Sequence, residues 1–258
     1  MSEKNLILAV DVGTTETKAV LVSPDGYIDS RQSSCCLCYP DKSCVEQSPE
    51  EISDAIYQSS RAVLAAHPDL IERLAGLVFT SQMQNTVPVD RGGKPLMNML
   101  SWMDERAACF TQEDMFRGWV KIEGYPVSKL LKFMRITGGM PGKTGKDTVC
   151  KLAWMKKNKP DLYASVHKFL DAKDYAVFLA TGNYVTSHDM ANVTWLMDAR
   201  DKDLGKWAWS EEIHRMYGLD SRKMPELRAS TAMAGSVTAD FAAKTGVPEG
   251  LPVVTGCG

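Results

Sequence analysis

A chain of 258 residues with 44% apolar content is long enough to bury a substantial core in one large or two small domains. Lys and Arg number 30 against 32 Asp and Glu, a formal charge of −2 without a basic run, which excludes a nucleic-acid binder and leaves a small molecule as the default partner. Met1-Ser2-Glu3-Lys4 lead into an apolar stretch that Asp11 soon interrupts, so neither a signal peptide nor a membrane span can be drawn, and seven cysteines, an odd number, suit reduced thiols in a cytoplasm.

Leu6-Ile7-Leu8-Ala9-Val10 is a continuous apolar run, as expected of a strand covered on both faces, and it stops at Asp11 before Gly13-Thr14-Thr15. Lys18–Val22 reads as a second strand, and Ser23-Pro24-Asp25-Gly26 as the turn into a third, from Tyr27 to about Gln32. Ser48-Pro49-Glu50-Glu51 combines a capping box with proline at the first helical position, predicting a helix that His67-Pro68 stops, with Ile52, Ala55, Ile56 and Val63 as its apolar face. Gly76–Thr80 and Thr86–Asp90 read as strands, the second followed by an Arg91–Lys94 turn.

Beyond about residue 128 the chain reads as mainly helical. Val149, Leu152, Ala153 and Lys156 hold helical spacing, Asp171 caps a segment that runs to Gly182, and Ser210 and Thr238 cap two later helices. Pro252-Val253-Val254-Thr255-Gly256 looks like a buried strand entering a glycine turn, after which the sequence ends as if cut.

The segment with most chemical content is Asp11-Val12-Gly13-Thr14-Thr15-Glu16-Thr17-Lys18, which falls at the tip of a predicted hairpin. Glycine lets a backbone approach a phosphate, successive amides and two threonine hydroxyls can donate to it, and an adjacent carboxylate can hold hydrated Mg²⁺. An ordinary Gly-Thr hairpin carrying a surface lysine has the same residues.

Asp-x-Gly-Thr-Thr-x-x-Lys after an apolar strand resembles the first phosphate motif of the FGGY carbohydrate kinases. Val45-Glu46-Gln47-Ser48-Pro49 is similar to that family's Glu-Gln-x-Pro segment. Ser81-Gln82-Met83-Gln84 and Trp102-Met103-Asp104-Glu105-Arg106 are similar to its sugar-site elements. Lys151-Leu152-Ala153-Trp154 with Pro160, Lys173-Asp174-Tyr175 through Gly182, and Pro252–Gly256 continue the pattern in order, closest in flavour to the xylulokinase-like members.

The resemblance implies an α/β fold, a ribonuclease H-like domain of the actin-like ATPase superfamily with a mixed sheet flanked by helices and a largely helical carboxy-terminal portion. Residues 1–258 would be the amino-terminal, sugar-binding domain, inactive without the carboxy-terminal ATP-binding domain that is its expected partner; a homodimer is compatible with this. The implied activity is ATP- and Mg²⁺-dependent phosphorylation of a pentulose or related polyol-like sugar in the cytoplasm. By the same resemblance Asp11 organises Mg²⁺, and Gly13, Thr14, Thr15 and Lys18 cradle the phosphate. Gln82, Met83, Gln84, Trp102, Asp104 and Arg106 face the sugar. Without the family context Met83, Trp102 and Arg106 read as core packing or a surface ion pair.

Two departures stand out. Gln84 replaces the histidine usual in xylulokinases, which makes xylulose itself doubtful. The family's general base is taken to be an aspartate directly after threonine in Thr-Asp-x-Ser-x-Ala, whereas Thr186-Ser187-His188-Asp189-Met190-Ala191 puts Ser187 there. Asp189 is the nearest carboxylate. In an extended segment it shares the face of residue 187, offset by about 6–7 Å; in a helical turn it does not. Asp104 is another candidate, and a sugar-binding or regulatory protein with impaired catalysis is the rival reading. Gly138–Thr144 lacks the first glycine of a P-loop, and Cys35, Cys36, Cys38 and Cys44 have no neighbouring histidine, so packed thiols are preferred to a zinc site.

Overall fold

The computed structural model describes residues 3–258, so Met1 and Ser2 of the amino-terminal reading lie outside the described residues. Leu6–Val12 (β1), Glu16–Ser23 (β2) and Gly26–Ser34 (β3) form the predicted antiparallel meander, and the Val12–Thr17 pair closes the first hairpin beneath its tip. Leu74–Ser81 (β4) adds to β1 in parallel. Met233–Ser236 (β5) and Pro252–Val254 (β6) complete a six-stranded mixed sheet in the order β5-β6-β4-β1-β2-β3, with β6 parallel to β4.

Pro49–Ala66 (α1) starts where the sequence predicts, with Ser48 Oγ accepting from Glu51 N at 3.2 Å. The box is only half formed, because Glu51 Oε2 accepts from Cys36 N at 3.2 Å instead of returning to the cap. Ile52, Ala55, Ile56 and Val63 are buried; full burial of one such aliphatic chain stabilises by roughly 1.5–3 kcal/mol. Val127–Thr137 (α2) and Thr148–Asn158 (α3) belong to a second apolar cluster around Phe133, Leu152 and Ile213. Ala172–Thr181 (α4) has the predicted Asp171 cap, with Asp174 returning to the cap amide, and ends at Gly182 in the left-handed conformation. His188–Asn192 (α5) and Ala239–Thr245 (α6) follow, the latter capped by Thr238 as expected.

One expectation needs correction. β1 is not covered equally on both faces: Leu6, Leu8, Val10 and Val12 are fully buried, whereas Ile7 and Ala9 are half-buried and Asp11 is exposed. The cause is that α1, α4 and α6 all pack into one core with the Leu8–Val10–Val12 face. The region beyond 128 is mainly helical as expected, and β6 falls where Pro252–Val254 reads as a strand, but Val185–Ser187, Glu226–Arg228 and β5 are short strands that the sequence reading did not mark. Strands of three or four residues are too short to produce a readable alternation. Among the described residues no helix is long and apolar enough to cross a membrane, and all seven cysteines are free.

Gly256 shows why the glycine turn after β6 is glycine. Its φ is +74°, and a Cβ there would stand 2.1 Å from the Phe79 carbonyl oxygen. Gly256→Ala is therefore expected to cost at least about 1–3 kcal/mol in urea unfolding. An unchanged midpoint would mean the turn does not approach β4 as described.

Candidate active site

The parallel strands β1, β4 and β6 end at one edge of the sheet, the position where open α/β sheets bind ligands. Three segments meet the edge there: the Gly13–Thr15 tip, the Gln82–Gln84 loop after β4, and Thr255–Gly258 after β6. The tip is neither packed into the interior nor capped. Asp11 and Thr15 are exposed, Gly13, Thr14 and Lys18 are half-buried, and among the described residues the Thr14 and Thr15 amides have no acceptor. The Gly13 amide is already used, donating to Glu16 O at 3.0 Å. A Cβ on Gly13 would sit 2.8 Å from that same oxygen, so the turn requires glycine.

Gln82 fixes the tip. Its Oε1 accepts from Thr14 Oγ1 at 3.0 Å, and its Nε2 donates to Gly13 O at 3.3 Å and to Gln47 Oε1 at 2.7 Å. Gln47, fully buried, donates in turn to Thr14 O at 2.9 Å. Trp102 is 40% exposed and donates from Nε1 to Thr14 Oγ1 at 3.3 Å, so an indole face stands open beside the tip. The Thr14 hydroxyl is thus committed inside the protein, leaving that of Thr15 facing solvent.

Asp104 and Arg106 do not face the groove. Asp104 is 0% exposed and accepts from Val45 N at 2.7 Å and from Arg106 Nε at 2.9 Å. Arg106 Nη2 lies 2.8 Å from Asp104 and 2.6 Å from Glu46, with an 8% exposed side chain over the Trp154 ring. The sugar-facing expectation for this pair is corrected to a buried ion triad that joins the Glu46-Gln47 strand to the Trp102 loop.

The backup carboxylate also differs from expectation. Ser187 is fully buried at the end of its strand, and its Oγ has no hydrogen-bond partner among the described residues. Asp189 lies in the first turn of α5 instead of in extended chain. Its Oδ1 accepts from Ser230 Oγ at 3.3 Å and its Oδ2 from Gly258 N at 2.8 Å. Burial raises this carboxyl, but the nearby Ser187 hydroxyl and the Gly258 amide outweigh it and hold the group below its usual value. An ionised Asp189 anchoring the 256–258 turn is what this geometry describes.

Gln84 reaches the site through a strained backbone. Its φ is +64°, and Nε2 donates to Asp147 Oδ1 and Val193 O, each at 3.2 Å. Trp195, with φ +60°, donates from Nε1 to the same Asp147 oxygen at 2.8 Å. Two non-glycine residues held in the left-handed region by one carboxylate are the kind of stored strain found at binding sites. Asn85 ties the loop down, donating from N and Nδ2 to Asp171 Oδ1 at 3.2 and 3.0 Å and accepting from Trp102 N at 3.1 Å. Burial, and secondarily Asp174, pushes the Asp171 carboxyl up to about 7. Lys151, buried and pushed down to about 8 by desolvation, donates to Gln84 O at 2.8 Å and Ser101 O at 2.7 Å.

Asn85, Asp147, Lys151, Asp171 and Trp195 escaped the sequence reading as site residues. Lys151 carried a signal, a lysine inside the apolar run Val149–Ala153, whereas Asp147 stands at the N-cap position of α3 without a side-chain cap bond. A wide concavity of about 1060 Å³ lies elsewhere, lined in part by Lys132, Asp198, Arg200 and Glu212, whose charges cancel in pairs.

Residues 6–258 match the FGGY family of carbohydrate kinases, N-terminal domain. The chain belongs to the FGGY family. It is 26% identical over 261 residues to a gluconokinase of Bacillus subtilis (strain 168), covering 97% of this chain and 45% of the relative. It is 28% identical over 251 residues to a xylulose kinase of Lactococcus lactis subsp. lactis (strain IL1403), covering 97% and 46%. The crystal structure of xylulose kinase from Rhodospirillum rubrum superposes with a TM-score of 0.82 at 22% identity, covering 98% of this chain and 48% of that one. The fold is accordingly that of the FGGY kinases, and this chain spans about half the length of the curated relatives it matches. Within the FGGY frame the Lys173-Asp174-Tyr175 segment gains a structural meaning: buried Lys173 pairs with Asp174 at 3.0 Å and donates to Thr255 O at 3.0 Å, joining α4 to the turn after β6.

Proposed function

We propose that this chain is the sugar-binding half of an ATP-dependent FGGY kinase that phosphorylates a hydroxyl of a pentulose or related polyol-like sugar. The observation that carries the reading is the hairpin tip with free Thr14 and Thr15 amides, standing beside exposed Asp11 and the open face of Trp102. The amides and the Thr15 hydroxyl receive the phosphoryl oxygens, and Lys18, the cross-strand neighbour of Asp11, adds positive charge. A single exposed carboxylate fits Mg²⁺, which keeps most of its waters and takes one or two protein carboxylates along with phosphate oxygens. Asp11 would hold Mg²⁺ there, and the ion would supply countercharge to the phosphates.

The sugar lies against Trp102, Met83 and Gln84, with the indole covering an apolar ring or chain face and the Gln84 amide oxygen accepting from a hydroxyl. Phosphoryl transfer is catalysed mainly by positioning and electrostatic stabilisation, and the Gln82–Gln47–Trp102 scaffold holds the tip for both.

Titration calorimetry of this chain with xylulose, gluconate and glycerol should reveal binding of at least one. Phosphate transfer from ATP is expected only when a carboxy-terminal domain is supplied in the same polypeptide. A folded, two-domain protein that turns over no ketose, aldonate or polyol overturns the kinase reading. Sugar binding without any turnover favours the sugar-binding or regulatory alternative, and turnover by this chain alone overturns its assignment as one half.

A further inference from the structure

Behind the Gln82–Asn85 loop lies a small cavity of about 20 Å³, lined in part by Thr86, Thr148, Asp171, Asp174 and the apolar side chains of Phe169 and Leu170. Thr86, Thr148 and Asp171 are 1%, 4% and 7% exposed. Thr86 Oγ1, Thr148 Oγ1 and Asp171 Oδ2 have no hydrogen-bond partner among the described residues. The other Asp171 oxygen is fully engaged, accepting from Ala172 N at 2.7 Å and from both nitrogens of Asn85. Asp174 Oδ1, a fourth lining atom without a hydrogen bond, is ion-paired with Lys173 Nζ at 3.0 Å, which leaves three orphaned polar atoms on one buried cavity, each uncompensated group costing about 1–3 kcal/mol.

We propose that this cavity is a built site for one internal water, which accepts from the Thr86 and Thr148 hydroxyls and donates to Asp171 Oδ2. The space exceeds the ~10–15 Å³ a single water needs, and three hydrogen bonds is the usual number for a buried one. A hard cation is a poorer occupant. Among the described residues no cluster of three or more His, Cys, Asp or Glu could hold a metal ion, and buried Lys151 and Lys173 already bring positive charge to this region.

The water has a consequence for the sugar loop. Solvating Oδ2 stabilises the Asp171 anion, and that anion holds Asn85, which in turn holds the Trp102 amide. The water therefore sits three hydrogen bonds behind the backbone of the tryptophan whose indole is proposed to cover the sugar.

A crystal structure that resolves ordered solvent is expected to show one peak about 2.6–3.2 Å from all three atoms. An empty cavity, or a peak at cation distances near 2.4 Å with five or more ligands, overturns the proposal. In solution, water-oxygen magnetic relaxation dispersion should count one fewer long-lived water in Thr86→Val/Thr148→Val than in the parent chain, and an unchanged count overturns it as well. Should the double variant not fold, Thr148→Val alone and the crystal structure of the parent carry the same decision. Neither readout needs substrate, so failure here leaves the kinase reading standing.

Discussion

Arg106→Ala is expected to lower the unfolding free energy of this chain by about 3–5 kcal/mol, the cost of leaving a buried charge uncompensated. The substitution removes the partner of Asp104, which has no exposed surface, and of Glu46, whose side chain is only 12% exposed. It also removes the guanidinium that lies 5.6 Å from the Trp154 ring centroid. A residue that gripped sugar would behave in the opposite way, with a nearly unchanged urea midpoint and weaker sugar affinity in calorimetry. Asp104→Asn separates the terms further: it keeps the shape and the Val45 contact but halves the negative charge facing Arg106, so its loss should be smaller than that of Arg106→Ala. Equal stability of parent and Arg106→Ala would show that the triad is not the internal strut described.

Asp11→Asn is expected to leave folding and sugar affinity almost untouched while reducing kcat by about 10²–10³-fold in a two-domain polypeptide that carries this chain. That is the size of effect seen when one element of transition-state charge stabilisation is removed. Asp11 is exposed and among the described residues makes no ion pair, so stability does not depend on its charge. On the proposed reading its role is confined to countercharge at the phosphates, and kcat and kcat/KM should fall together with little change in sugar binding. A variant that retains full turnover would remove Asp11 from the phosphate site. One that fails to fold would give it a structural role instead.

Much of the fold and part of the site were legible because they depend on residues adjacent in the chain. The meander followed from apolar runs broken by Gly13 and by Pro24–Gly26, α1 from Ser48-Pro49, and α4 from Asp171 and Gly182; each is a local backbone preference that neighbouring residues decide. The tip was legible for the same reason, as a Gly-Thr turn between two strands. Side chains that act across the fold were not. Asp104 and Arg106 looked like sugar ligands because they sit beside Trp102, yet their partner Glu46 comes from a strand about sixty residues earlier and closes them off from the groove. For Asp189 the extended and helical alternatives both stayed open, because nothing local distinguished the end of a three-residue strand from the first turn of a five-residue helix.

The amino-acid sequence by itself determined the order of the elements, the glycine turns and the membership that follows from motifs in series. Only the tertiary structure decided which polar groups remain free at the sheet edge. Whether Gln82 grips a ligand or the Thr14 hydroxyl, and whether Arg106 meets solvent or Glu46, depends on distances between residues far apart in the chain. Burial then fixes the outcome, because a polar group removed from water must be satisfied by whichever partner packing brings to it.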